Sequence, residues 1–179
     1  MPWSIALRNK VMNSPLSQAP RVTGGGPSYS TVLGLNSAQV RQALTDHATL
    51  MVSVARNALG KVRPGGTLLF MGAAGERVAP GIGVFAAAAA ALPPLTATLA
   101  LEIAPIRVNL IAAGFVDTPL SATLLGDGLE KRREELRSTL PIGRVVGPAD
   151  IAALAVHIMT NTAITGATYD VDGGQQYVS

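Results

Sequence analysis

The sequence predicts an α/β fold in which a parallel sheet of about four strands is flanked by helices. Residues 67–71 and 106–112 are short, largely apolar runs, which are typical of parallel strands covered on both faces. Between them, the stretch from Val84 to Ile103 is almost wholly Ala, Leu, Val and Thr and predicts a single buried helix. Because strand, helix and strand alternate, right-handed crossovers should join neighbouring parallel strands.

The chain before this core is less regular. Residues 1–18 have no clear period and predict an amino-terminal arm, while residues 19–179 form the one domain expected for this length. A strand is predicted near residues 20–23, before the run from Gly24 to Gly26. That run is either a plain flexible loop or a phosphate-cradling loop, but the latter needs a helix directly after it, and Pro27 follows instead.

Three further helices and a last strand follow from local signals. Asn36 or Ser37 caps a helix that begins at Ser37 and runs to about Lys61, with its apolar residues near one face. That face carries Val40, Leu44, Met51, Val54, Ala55 and Leu59. Residues 130–137 predict a charged helix with a solvated face, the alternative being a binding patch. A helix over 151–159, opened by Pro148, precedes a strand over 168–172.

Composition excludes several classes of function. Hydrophobic residues make up 48% of the chain and charged residues 14%, so we expect part of the surface to be covered by self-association. The net charge of +3 is scattered and aromatic residues are only 4%, which argues against nucleic-acid binding. With no cysteine and two histidines, no metal site is predicted.

Residues 82–101 carry no formal charge and are long enough to span a membrane. Pro93, Pro94, the alanine bias and the strand that follows favour a buried helix of a soluble protein instead. Residues 1–18 lack the continuous apolar core of an export signal, so we expect a cytoplasmic protein.

Several motifs resemble those of a known family. The motifs are EIAPIRVNLIAAGFVDTP at 102–119, LPIGR at 140–144, GPADIA at 147–152, TG at 165–166 and VDGG at 171–174. In this order and spacing, they resemble the short-chain dehydrogenase/reductase family over roughly residues 19–178.

The resemblance implies a Rossmann-like fold that binds NAD or NADP and moves hydride between the nicotinamide and an alcohol or carbonyl. It implies cofactor contacts from the turn after strand 106–112, namely Gly114, the Val116 backbone and the Thr118 hydroxyl. It also implies a homo-oligomer formed through two helices, the one from Ser37 to Lys61 and the one from Val84 to Ile103.

The chain departs from the family at the residues that carry the chemistry. The family's Tyr-x-x-x-Lys pair falls on Phe85 and Ala89, and its catalytic serine falls on Gly72 or Ala73. None of these side chains supplies a proton or a charge. The first strands and the glycine-rich phosphate loop of the family are also not found. We therefore expect an incomplete sheet, no catalytic residue, and weak or absent cofactor binding.

Three interpretations remain open. The chain is an NAD(P)-dependent oxidoreductase by descent with a degenerate active site, a non-catalytic binding or oligomerisation module, or a truncated product without its own function. His47 is expected to be structural, since a lone helical histidine is seldom a catalytic group, although it and Tyr29 are the candidates for a substitute acid. The substrate is not predicted.

Overall fold

The computed structural model describes residues 21–22, 30–74 and 80–178. Their backbone forms a four-stranded parallel sheet whose strands lie side by side in sequence order. The strands are β1 (Arg21–Val22), β2 (Thr67–Ala73), β3 (Arg107–Ala113) and β4 (Thr168–Val171). The predicted fold class, strand positions and parallel order are confirmed. The predicted arm over 1–18 and the glycines from Gly24 to Gly26 lie outside the described residues.

Helices cover both faces of the sheet. They are α1 (Ser37–Ala58), α2 (Gly83–Ala90), α3 (Leu92–Glu102), α4 (Pro119–Leu125), α5 (Leu129–Thr139) and α6 (Pro148–Thr160). On one face, α1 and α3 pack on Leu68, Phe70 and Leu110, and on the other, α6 packs on Leu69 and Ile111. Side chains from β2 and β3 thus belong to two apolar layers, one on each face of the sheet, as their largely apolar sequences predict.

Helix α1 begins where the sequence predicts and ends early. The Asn36 side chain accepts hydrogen bonds from the backbone N–H groups of Ala38 and Gln39, both at 3.0 Å. The Asn36 N–H in turn donates to the side-chain oxygen of Gln39, which completes a capping box. The helix ends at Ala58 rather than near Lys61.

Only the second half of α1 is buried, through Met51, Ala55 and Ala58. Leu44 and Leu59, which were predicted on the buried face, are 40% and 53% exposed. A helix of 22 residues is about 33 Å long, whereas a strand of seven residues spans about 23 Å, so the helix extends beyond the sheet that it covers.

The prediction of a single helix from Val84 to Ile103 is wrong in one respect. The structure has two helices over this stretch, and they meet at Ala91. Pro93 and Pro94 have no backbone N–H and cannot continue the hydrogen-bond pattern of α2. Ala91 N donates to the carbonyl of Ala88 at 3.3 Å, which closes a tighter turn.

Together, Gly83–Glu102 has the length and apolar composition of a membrane-crossing helix, and a third of its most apolar window is buried in the chain. A core helix passes the same test, and α3 packs on the sheet through Leu92 and Leu99. That the protein does not enter a membrane stays a prediction.

A buried arginine ties α6 to the centre of the sheet. The side chain of Arg107 on β3 is 7% exposed and donates hydrogen bonds to four backbone carbonyls. Its Nη1 donates to Ile158 (3.0 Å) and Ile164 (2.9 Å), its Nη2 to Met159 (3.2 Å) and its Nε to Gly65 (3.4 Å). The guanidinium therefore caps the carboxyl end of α6, where a cation is favourable, although burial lowers the pKa of Arg107.

An ion pair holds the amino end of α6. Arg144 donates to both oxygens of Asp150 at 2.7 and 2.8 Å, and Oδ2 of Asp150 also accepts from the Gly147 N–H at 2.9 Å. The bond with Arg144 has the largest effect and that with Gly147 the next, and together they lower the pKa of Asp150 to about 2. The carboxylate is consequently ionised throughout the ordinary pH range.

We expect Arg107→Lys to lower the free energy of unfolding by about 2 kcal/mol, because one ammonium cannot reach four carbonyls and leaves some of them unpaired. Urea denaturation measures the change, with the exposed Arg56→Lys on α1 as the matched control. Equal unfolding midpoints for the two variants would contradict the role given to Arg107.

Asp150→Asn should lower the thermal unfolding midpoint by a few degrees at pH 7, and this difference from the unmodified chain should shrink as the pH falls from about 4 to 2. The sign follows because the folded-state pKa of Asp150 is depressed, so its stabilisation is complete above the unfolded-state pKa and is lost on acidification. Calorimetric scans at several pH values test this, with exposed Asp127→Asn as the control. A difference that stays constant down to pH 2 would refute it.

Candidate functional site

The carboxyl ends of β2 and β3 open onto a cavity of about 420 Å³. Ala73 and Ala113, the last residues of these strands, are register partners and both line it. Open α/β sheets bind their ligands at this edge. The remaining wall comes from α2, from the turn after β3, and from α4 and α5; the described lining residues are Ala73, Ala74, Ile82, Phe85, Ala86, Ala113, Gly114, Phe115, Val116, Ser121, Leu124, Leu125 and Arg132.

Gly114 is explained by packing within the chain. A Cβ at this position would lie 2.6 Å from the Cβ of Asp172 and 2.7 Å from Oε1 of Gln175, too close for any side chain. The same Gln175 oxygen accepts a hydrogen bond from the Phe115 N–H at 2.9 Å. The segment after β4 therefore holds the turn in place.

Val116 and Thr118 are fixed by the start of α4. The carbonyl of Val116 accepts from the Ser121 hydroxyl at 2.6 Å, and Oγ1 of Thr118 accepts from the Ser121 N–H at 3.1 Å as the cap of the helix. Of the three residues predicted to contact the cofactor, Gly114 and Val116 line the cavity, whereas Thr118 is not among the lining residues.

Two of the positions on which the resemblance places the family's catalytic residues lie at this cavity. Phe85 and Ala73 line it, whereas Ala89 is 5% exposed and is not among the lining residues. A Cβ on Gly72 would point into the core, 3.0 Å from Leu92 Cδ1, so Ala73 is the one of the two serine candidates that faces the cavity.

His47 packs next to this group. Its ring meets that of Phe85 edge-on, with centroids 6.1 Å apart and an interplanar angle of 70°. In the described part of the chain, Nδ1 of His47 and Nε2 of Gln175 are the buried side-chain polar atoms without a hydrogen-bond partner. The sequence predicts a structural or surface role for His47. It gives no sign of a role for Gln175, whose Oε1 accepts from the Phe115 N–H, 60 positions away.

Helix α5 brings two arginines to the site. Arg133 pairs with both oxygens of Asp117 in the turn, at 2.9 and 2.8 Å, and this bond raises the pKa of Arg133. Arg132 lines the cavity, with its guanidinium carbon 6.0 Å from the ring centroid of Phe115.

The predicted solvated face over residues 130–137 is confirmed for the exposed Glu130 and Glu134 and wrong for Arg132 and Arg133. The sequence does contain a sign that Arg132 faces inward. Leu129, Arg132 and Leu136 recur at helical spacing and lie on the inward side of α5.

The arrangement is chemically sparse. Among the described residues, the cavity wall contains one charged side chain, Arg132, and one hydroxyl, Ser121, which is already bonded to Val116. No cluster of three His, Cys, Asp or Glu side chains that would hold a metal occurs in the described ranges. A largely apolar surface with one cation offers contacts that can bind a ligand.

Comparisons with known proteins agree with this architecture. A family model described as enoyl-(acyl carrier protein) reductase matches residues 23–176. The chain is 42% identical over 94 residues to 3β-hydroxysteroid dehydrogenase 1 of Eggerthella lenta, covering 50% of this chain and 35% of that protein. It is 36% identical over 118 residues to 3-oxoacyl-(acyl-carrier-protein) reductase FabG of Chlamydia muridarum, covering 64% and 46%. It therefore spans less than half the length of either relative.

Among solved structures, a small-chain dehydrogenase in complex with NADPH has a TM-score of 0.79 and 27% identity, covering 88% of this chain and 74% of that one. The sheet order, the cavity at the strand ends and the family match over residues 23–176 lead to one conclusion. The chain belongs to the short-chain dehydrogenase/reductase family.

Proposed function

We propose that this chain is an NAD(P)-type oxidoreductase by descent whose site binds ligands but does not catalyse hydride transfer at a normal rate. The observation that carries the proposal is the cavity wall itself. Phe85 and Ala73 stand where the family's proton donor and serine are expected, and neither side chain has a polar atom.

The energetic argument concerns the oxygen of the substrate. When a carbonyl accepts hydride, its oxygen gains negative charge and needs a donor and a proton. A positioned acid contributes about 10²–10⁴-fold to such a step, and an oxyanion donor a comparable factor. The described wall offers the Arg132 guanidinium, and a guanidinium is a hydrogen-bond donor rather than a general acid.

NAD or NADP is the cofactor that the family suggests, and a related structure contains NADPH. When bound, the nicotinamide would supply the hydride. Gly114 and Val116 line the cavity, which fits a planar ring placed against the turn. Of the three predicted cofactor contacts, the Thr118 hydroxyl is the least available, because its oxygen already caps α4. We propose weak binding, since the family's glycine-rich strand-loop-helix pattern, which would hold the pyrophosphate, is not recognised in residues 1–179.

We expect no consumption of NADH or NADPH above background with a broad panel of ketones, and no reduction of NAD or NADP with alcohols. Absorbance of the reduced nicotinamide measures turnover, and calorimetry measures cofactor binding. The double variant Phe85→Tyr, Ala89→Lys should remain inactive, because it restores the acid without restoring pyrophosphate binding. Turnover by the unmodified chain would refute the proposal, and its loss in His47→Ala would identify His47 as the substitute acid.

A second proposed role is self-association, through an exposed apolar stripe on α2 and α3. Leu101 in this stripe is 82% exposed. Apart from the adjacent Ala90 and Ala91, its residues recur every three or four positions, and they are Ala87, Ala90, Ala91, Pro94, Ala97 and Leu101. Leu44 and Val52 on the neighbouring α1 are also exposed, at 40% and 37%. We propose that α1, α2 and α3 pair with the same helices of a second copy across a two-fold axis.

Sedimentation velocity should show a dimer or a larger species, and Leu101→Asp should weaken association at least about tenfold, because it places a charge in an apolar interface. Leu120→Asp is the matched control, since Leu120 on α4 is 64% exposed and lies outside the stripe. A monodisperse monomer at all concentrations would rule out this role. Cytoplasmic localisation and the absence of nucleic-acid binding remain predictions from composition.

A further inference from the structure

The cavity at the strand ends combines an apolar wall with a single cation. Most of its described lining is hydrocarbon, including Phe85, Ala86, Phe115, Leu124 and Leu125. Arg132 is the one charged side chain that the described residues contribute to this wall. Such a surface favours a ligand that is mostly apolar and carries charge at one end.

Arg132 is positioned by its neighbours on two sides. Its guanidinium lies near the Phe115 ring, and its Nη1 pairs with Glu135 at 2.8 Å. The next residue, Arg133, is fixed to the turn by its double bond to Asp117. With α5 anchored in this way, Arg132 is held at the cavity by the fold, and its side chain is only 23% exposed.

The chemistry of a guanidinium then narrows the ligand class. It has five N–H donors in a planar fork, and the Glu135 pair occupies one terminal nitrogen, so donors remain for a second anion. A carboxylate matches the fork geometry, and the low-dielectric wall strengthens the attraction. The Ser121 hydroxyl does not compete as a donor, because it already donates to the Val116 carbonyl.

We propose that this cavity selects an organic carboxylate with an alkyl or aryl body, and that Arg132 is the residue that determines this specificity. This deepens the proposed function, because it names the class of ligand that the same site takes.

Calorimetric titration of the chain with octanoate and with octan-1-ol tests the proposal, since the two probes share their apolar body and differ in charge. We expect octanoate to bind about tenfold or more tightly than the alcohol, as a charge-assisted hydrogen bond would give. Arg132→Gln should remove this preference, and Arg132→Lys should retain part of it. Arg137→Gln is the matched control, because Arg137 lies on the same helix, pairs with Glu130 and Glu134, and does not line the cavity.

The outcomes separate this inference from the proposed function. Equal affinities of the unmodified chain for octanoate and octan-1-ol would overturn the inference. So would an Arg132→Gln variant that binds nicotinamide mononucleotide more weakly but octanoate unchanged, which would assign Arg132 to a cofactor phosphate. A chain that binds no cofactor yet prefers octanoate through Arg132 would support the inference while removing cofactor binding from the proposed function.

Discussion

The structure depends on a charge buried beside the sheet, the guanidinium of Arg107. A buried cation is costly unless its donors are satisfied, and here the donors meet four backbone carbonyls from three separate segments. Asn109, two residues along β3 and fully buried, adds bonds to the carbonyl of Ile164 and the N–H of Ala167. Together they join the end of α6 and the approach to β4 to the central strand.

A second constraint acts at the opposite end of β3 and shapes the candidate site. Asp172 accepts from the N–H groups of Gly174 and Gln176, which folds the segment after β4 into a compact turn. That turn places Gln175 against Gly114 and Phe115. The motif residues Arg107, Gly114 and Asp172 therefore stabilise the architecture through contacts within the chain.

Apolar side chains form most of the cavity wall, and an ion pair fixes the helix beside it. Phe85 occupies the wall facing the turn, and His47 packs behind it with an unpartnered nitrogen. The ion pair between Arg133 and Asp117 fixes helix α5 to the turn, and Arg132 on the same helix lines the cavity. The described cavity wall is thus mainly apolar, with Arg132 as its charged side chain.

The sequence predicts the parallel sheet and the turn after β3, because hydrophobic runs and turn residues act over short stretches. It predicts the strand order because strands that alternate with helices pair in parallel. It also located the positions of Phe85 and Ala89 through motif spacing. Tertiary structure decided what no local pattern contains. Gln175 meets Phe115 across 60 positions of sequence, and Arg107 meets Ile164 across 57. The exposure of Leu44 and the cavity-facing position of Arg132 likewise depend on how far each helix overlaps its neighbours, since burial is a property of packed surfaces rather than of residue type.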